Sequence, residues 1–136
     1  MLQKTVIRPC EISDYSALRT FDEFMGDRRI DMQHGNLLVA ERQGDVVGYA
    51  KVAPTEFLGW PLLSIVCVAA VVRGQGIGGD LIAAVAESPQ WLRLYSSTEA
   101  SNLIMLSLLK KRGAREVGFV DNLNISEERE VLFRLK

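Results

Sequence analysis

At 136 residues the chain fits one folded unit, and a unit of this length can bury roughly 70% of its unfolded surface without staples. With 48% apolar residues, 24% charged residues and a formal net charge of -1, it is neither a disordered nor a fibrous chain, and its scattered Arg and Lys leave no nucleic-acid footprint. No apolar run reaches the ~18 residues of a membrane span, and Cys10 and Cys67 read as free thiols, so the expectation is a cytoplasmic protein with no membrane and no metal site.

"KTVIRPC" reads as a first strand. "ISDYSALRTFDEFM" follows as a helix, with Ser13 or Asp14 as N-cap and Tyr15, Leu18, Phe21 and Met25 at helical spacing. The polar "GDRRIDMQHG" holds a short helix or a mobile loop. "NLLVAERQGDVVGYAKV" is an antiparallel hairpin, with Gly44 supplying a positive φ between its strands.

"PLLSIVCVAA" has the near-continuous apolar character of a central strand buried on both faces. The loop "RGQGIGGD" then opens an amphipathic helix, "IGGDLIAAVAES", and "WLRLYSS" alternates as the next strand, which makes a parallel crossover. "EASNLIMLSLLKKRG" is a second long helix, ended by Gly113 with basic residues in its last turn. "AREVGFV" and "REVLFRL" close the chain as two strands, joined by "DNLNISEE".

There is no repeat and no Pro/Ser-rich linker, so residues 1–136 are expected to form a single domain. The expected fold is α/β: a mixed central sheet of about six to seven strands, with antiparallel N-terminal strands, one parallel crossover pair and flanking helices. An exposed last strand would allow pairing across a homodimer.

Three readings fit the glycine loop. As a bare pattern, Gly74-x-Gly76-x-x-Gly79 satisfies a dinucleotide fingerprint, and Glu99 follows after a strand; but a hairpin precedes the loop and only one crossover follows it, which is the wrong series for that fold. A Walker A phosphate loop is the second, and no Lys-Ser or Lys-Thr pair follows the glycines to complete it; a plain tight turn is the bland alternative. The third is an anion nest, in which backbone N–H groups freed by glycines at a helix N-terminus, with Arg73 beside them, cradle a pyrophosphate.

The stretch "VCVAAVVRGQGIGGDLI" resembles the acetyl-CoA-binding motif of the GNAT N-acetyltransferases, with Arg73, Gly74, Gly76, Ile77 and Gly78 in the motif positions and Gln75 between them. The order of elements is similar to that family from first strand to last. "FVDNLNISEEREVLFRLK" is similar to a subset of small single-domain members, mostly of unassigned substrate. The resemblance implies acetyl-CoA as co-substrate and acetyl transfer to a primary amine of a small molecule or peptide by direct attack.

It also implies site positions. Val66, Cys67 and Val68 fall on a splayed strand whose backbone pairs with the pantetheine arm, and the Val68 N–H falls where it can donate to the thioester oxygen. Asn102 matches an asparagine that helps seat the arm.

Two departures stand out. Leu109 occupies the position of the tyrosine that protonates the leaving sulfur, which leaves Tyr95 as a substitute, and Ser64-Ile65 stands where relatives place an acidic residue. Candidate bases are then His34, Asp31, Glu56 and Glu99. Glu23, Asp27 and Asp31 could line a site for a cationic amine, and Trp60 could wall it. The missing groups also motivate a different reading, an acyl-CoA-binding sensor with weak catalysis; a NAD-binding oxidoreductase is the third.

Overall fold

The computed structural model describes residues 4–136. The chain runs β1 (Thr5–Pro9), α1 (Tyr15–Phe21), α2 (Arg29–Gln33), β2 (Leu37–Arg42), β3 (Asp45–Phe57), β4 (Trp60–Val68), α3 (Ile77–Glu87), β5 (Tyr95–Glu99), α4 (Leu103–Lys111), β6 (Arg115–Val120) and β7 (Glu130–Arg134). Among the described residues, seven strands form one sheet in the order β1-β2-β3-β4-β5-β7-β6. The β4–β5 pair is parallel and the rest are antiparallel, as the alternation of strands and one crossover predicts.

The β2–β3 hairpin turns at Gln43 (φ 50) and Gly44 (φ 84), so both central residues are left-handed, which matches the twist of the flanking strands. A second hairpin, not anticipated from the sequence, joins β3 to β4 through Leu58 (φ 52) and Gly59 (φ 92). Pro54, Thr55 and Glu56 are exposed where β3 projects past the core, so no apolar alternation marks this part of the strand.

The first helix differs from expectation at both ends. A 3-10 turn (Ile12–Asp14) precedes α1, and α1 stops at Phe21, before Met25. Asp14 does not cap α1 with its side chain; its carboxylate accepts two bonds from Arg8, at 2.7 and 2.9 Å, and one from the Glu11 N–H at 2.8 Å. The Arg8 guanidinium on β1 draws this carboxylate toward the sheet, where it closes the preceding turn instead.

Two layers cover the sheet. On one face, Ala50, Val52, Leu63 and Phe133 pack with Ile77, Leu81, Ile82 and Val85 of α3 and Leu109 of α4. On the other, Leu37, Val39 and Tyr49 pack with Leu18 of α1. Each large side chain buried in this way contributes roughly 1.5–3 kcal/mol. The final strand β7 is interior, paired on both sides with Val131 and Phe133 in the core, so the edge is β6 and not the last strand.

Candidate active site

The parallel pair opens partway along. β4 and β5 are in register at Leu62↔Tyr95 and Leu63↔Ser96 only, although β5 goes on pairing with β7 as far as Glu99. The cause lies on the other side of β4: Lys51 faces Ile65 and Val52 faces Leu63, so Ser64 is an extra, bulged residue. A bulge bends its strand and increases the twist, and here it swings β4 away from β5.

No strand pairs with the backbone lining this gap on its β5 side. Ala69 N–H donates to Val47 O at 2.8 Å, and the alternation of an extended strand then turns the N–H and C=O of Val66 and Val68 away from β3, into the gap. Their side chains pack against the α3/α4 core, while Cys67 turns to the opposite face, opposite Tyr49. Burial pushes the Cys67 thiol above its ordinary pKa, so it is an unreactive neighbour of the gap.

At the end of the gap stands the glycine loop. Gly74 (φ 79) and Gly76 (φ 86) are left-handed, and Gly76 caps α3 without a side chain. Asp80 N–H is the first to bond back, to Gly76 O at 3.0 Å; among the described residues the N–H groups of residues 74–79 donate to no protein acceptor. A Cβ built on Gly74 or Gly76 meets nothing within 4 Å, so the space before these groups is open. Gly78 and Gly79 differ, since both are buried packing positions. A Cβ on Gly78 would lie 3.3 Å from Leu108, and one on Gly79 2.9 Å from the Arg112 guanidinium.

Three arginines surround the loop. Arg73 Nε donates to Val68 O at 3.1 Å, which ties the loop to the splayed strand. Arg42, from the end of β2, donates to the Gln75 side chain and, at 3.3 Å, to Gln75 O. Arg112, just past α4, pairs with Asp80 at 3.1 Å across the first turn of α3. Sequence reading finds only Arg73, because Arg42 and Arg112 lie about thirty residues away from the loop residues they touch and carry no local signal.

Comparison with known proteins bears directly on this arrangement. Residues 33–113 match the Acetyltransferase (GNAT) domain family. The chain belongs to the GNAT family.

Solved structures agree in fold. A GNAT acetyltransferase from Bacillus cereus is 23% identical over 98% of this chain and 97% of its own, with a TM-score of 0.85. A ribosomal-protein-alanine N-acetyltransferase from Brucella melitensis is 27% identical over 95% and 98%, with a TM-score of 0.80. A GNAT acetyltransferase from Elizabethkingia anophelis with acetyl-CoA bound is 22% identical over 97% of each chain, with a TM-score of 0.71. Comparison with curated protein sequences finds no match.

The remaining side chains singled out in this GNAT sequence fall in different places. Asn102 caps α4, its Oδ1 accepting from Met105 N–H at 3.1 Å. Leu109 is fully buried in the α3/α4 core. Tyr95 lies in the zipped part of the parallel pair, opposite Leu62, and stacks on Phe57 at 4.3 Å between centroids. Leu62 and Val68 are about 20 Å apart along an extended strand, so the structure does not bring Tyr95 to Val68.

His34 ends α2 on the exposed surface and is not brought to the gap. Asp31 is committed to Lys51 at 3.5 Å, and the Arg29 guanidinium holds Asp27 well below the usual carboxylate range, so neither is a free base. Glu23 and Glu56 are exposed. Trp60 begins β4 at the end away from the loop, with Arg93 over its ring at 4.8 Å, so it packs an edge and does not wall the gap.

Glu99 faces Glu130 across β5 and β7 and shares a hydrogen bond with Glu128, which raises its pKa. A separate groove of about 1150 Å³ lies beside the end of β1, lined by Cys10, Ile12, Tyr15 and Met32. None of its lining residues belongs to β4 or β5.

Proposed function

We propose that this GNAT protein transfers the acetyl group of acetyl-CoA to a primary amine of a small molecule or peptide by direct attack, with the whole chain as one catalytic unit. The observation that carries this reading is the open edge of β4, which runs from the bulge at Ser64 to the nest at Gly74 and Gly76. An extended, amide-bearing arm can add to such an edge as a strand does, and a pyrophosphate suits free N–H groups at a helix N-terminus.

The residues present fit that ligand. Residues 74–79 offer their N–H groups, with Ile77 and Gly78 opening the helix, and Arg73 adds charge beside them. Gln75, held by Arg42, keeps the loop in place. Val66 presents its N–H and C=O to the arm and Val68 its N–H, the Val68 carbonyl being taken by Arg73; Cys67 continues the strand between them, and Asn102 has its amide nitrogen left for the same ligand once Oδ1 is used in the cap. The Val68 N–H is offered to the thioester oxygen as negative charge builds there.

No tyrosine stands at position 109, so the thiolate leaves unassisted or is protonated by solvent; a thiol pKa of about 8.5 makes it a fair leaving group. The buried Leu109 also favours a second reading, an acyl-CoA sensor. Relatives include a complex bound to a peptide and CoA and an enzyme bound to diaminobutyric acid and coenzyme A, which supports testing both classes of amine.

The experiment is incubation with acetyl-CoA and a panel of peptide and small-molecule amines, following free thiol and the roughly 42 Da gain of an acetyl group by mass spectrometry. Acetylation of an amine supports the enzyme. Tight acetyl-CoA binding without turnover supports the sensor, and protection from heat by NAD alone overturns both.

A further inference from the structure

Ser97 follows directly on Ser96, the last residue of β5 in register with β4, and so stands where the two strands part. Register also settles its face. Ser96 and Thr98 lie opposite Phe133 and Val131, which belong to the α3/α4 core, and alternation turns Ser97 to the other side of the sheet.

On that side the Ser97 hydroxyl donates to Glu130 Oε2 at 2.7 Å. The second oxygen, Glu130 Oε1, accepts from Asn124 Nδ2 at 3.1 Å, and the same nitrogen donates to Glu128 O at 3.1 Å, so the β6–β7 loop holds the carboxylate in place. All three side chains are half-buried, and they come from a strand, its neighbour and the loop between β6 and β7. A hydroxyl at the closed end of the gap is thus wired to an anchored carboxylate behind it.

We propose that Ser97 and Glu130 accept the proton of the acceptor amine, with Ser97 in contact with the ammonium and Glu130 receiving the proton through it. This rests on the acetyl-transfer reading above. Ser97 passes its hydroxyl proton to Glu130 while taking one from the ammonium, which leaves a neutral amine. The nitrogen lone pair then forms the C–N bond, the C–S bond breaks, and the surplus proton on nitrogen leaves with the thiolate as the CoA thiol. Glu130 returns its proton to solvent.

The charged surroundings suit a cationic acceptor. Glu130 faces Glu99 across β5 and lies near Glu128 of the preceding loop, while its β6 partner is the uncharged Val120. Of the cations on that face, Arg134 of β7 and Arg115 of β6 stand opposite each other toward the far end of β7, Lys51 of β3 lies beside Ile65 and is paired with Asp31, and Arg8 of β1 is paired with Asp14. Carboxylates grouped in this way favour a bound cation or a shared proton. Asp31, by contrast, is engaged by Lys51.

The test uses three probe amines with the full chain: spermidine, an alanine-initiated peptide and hydroxylamine. The first two are protonated at neutral pH, and hydroxylamine is largely neutral. Glu130→Gln is expected to lower kcat/KM at neutral pH by roughly 100-fold or more for spermidine and by roughly tenfold for the peptide, whose α-amino group is already about a tenth neutral, with both deficits narrowing as pH rises toward the pKa of the amine. Turnover of hydroxylamine and the KM for acetyl-CoA should stay within about threefold. Ser97→Ala should behave similarly and Ser97→Thr should recover activity, which keeps the assignment testable if Glu130→Gln folds poorly. Equal losses with all three amines, or an unchanged pH profile, would overturn the assignment. A wild-type chain that binds acetyl-CoA and acetylates none of the probes overturns the proposed function, and this assignment with it.

Discussion

Arg42, at the end of β2, holds Gln75 in the glycine loop through both its side chain and its backbone carbonyl. A strand 33 residues away in sequence thereby helps set the shape of a loop rich in glycine. Arg42→Ala removes both bonds without touching the nest, so acetyl-CoA binding should weaken by about three- to tenfold, on the scale of one net hydrogen bond. Titration calorimetry with CoA checks this, and an unchanged Kd would show that the loop holds itself.

Gly76 and Gly78 should fail in different ways. Gly76 has open space around it and a φ of 86, so Gly76→Ala strains the backbone by roughly 1–2 kcal/mol or flips the loop, and loses CoA affinity either way. Gly78→Ala meets Leu108 at 3.3 Å and should lower the melting temperature more than it lowers affinity. Melting scans with and without CoA separate the two effects.

Leu109 is a packing residue here. Leu109→Tyr, which places there the tyrosine that the family resemblance implies, should destabilise the fold by roughly 1–3 kcal/mol through overpacking and should not raise kcat. Denaturant unfolding alongside turnover tests this. A faster enzyme of unaltered stability would show that the site can accept the hydroxyl.

Acid should weaken the Arg8–Asp14 link. The Arg8 guanidinium holds the buried Asp14 carboxyl below its ordinary pKa. A depressed pKa contributes stability above the unfolded value of about 3.9, and that contribution is lost as pH falls through the folded value. Asp14→Asn should therefore cost roughly 1–3 kcal/mol at neutral pH and flatten the acid limb of the stability profile below about pH 4. Urea melts across that range measure both.

Much of the architecture was legible in the sequence because it depends on local signals. The apolar run of β4, the glycines after it and the 3.6-residue spacing of α3 identify a strand, a glycine loop and a helix from neighbouring residues alone. The β3–β4 hairpin was not legible, because its turn is Leu58-Gly59, without the usual Asn or Asp, and the flanking Pro54 to Glu56 are exposed.

By itself, the sequence determined the order of elements, the burial of their apolar faces and a glycine loop between a central strand and a helix. These follow from side-chain periodicity and backbone freedom, which neighbours along the chain settle among themselves. Only the tertiary structure decided where β4 leaves β5, that Arg42 and Arg112 reach the loop, that β7 inserts between β5 and β6, and that Ser97 meets Glu130. Those relationships depend on a bulge, on strand order and on register. Such properties join residues about thirty positions apart, and no local pattern in the chain encodes them.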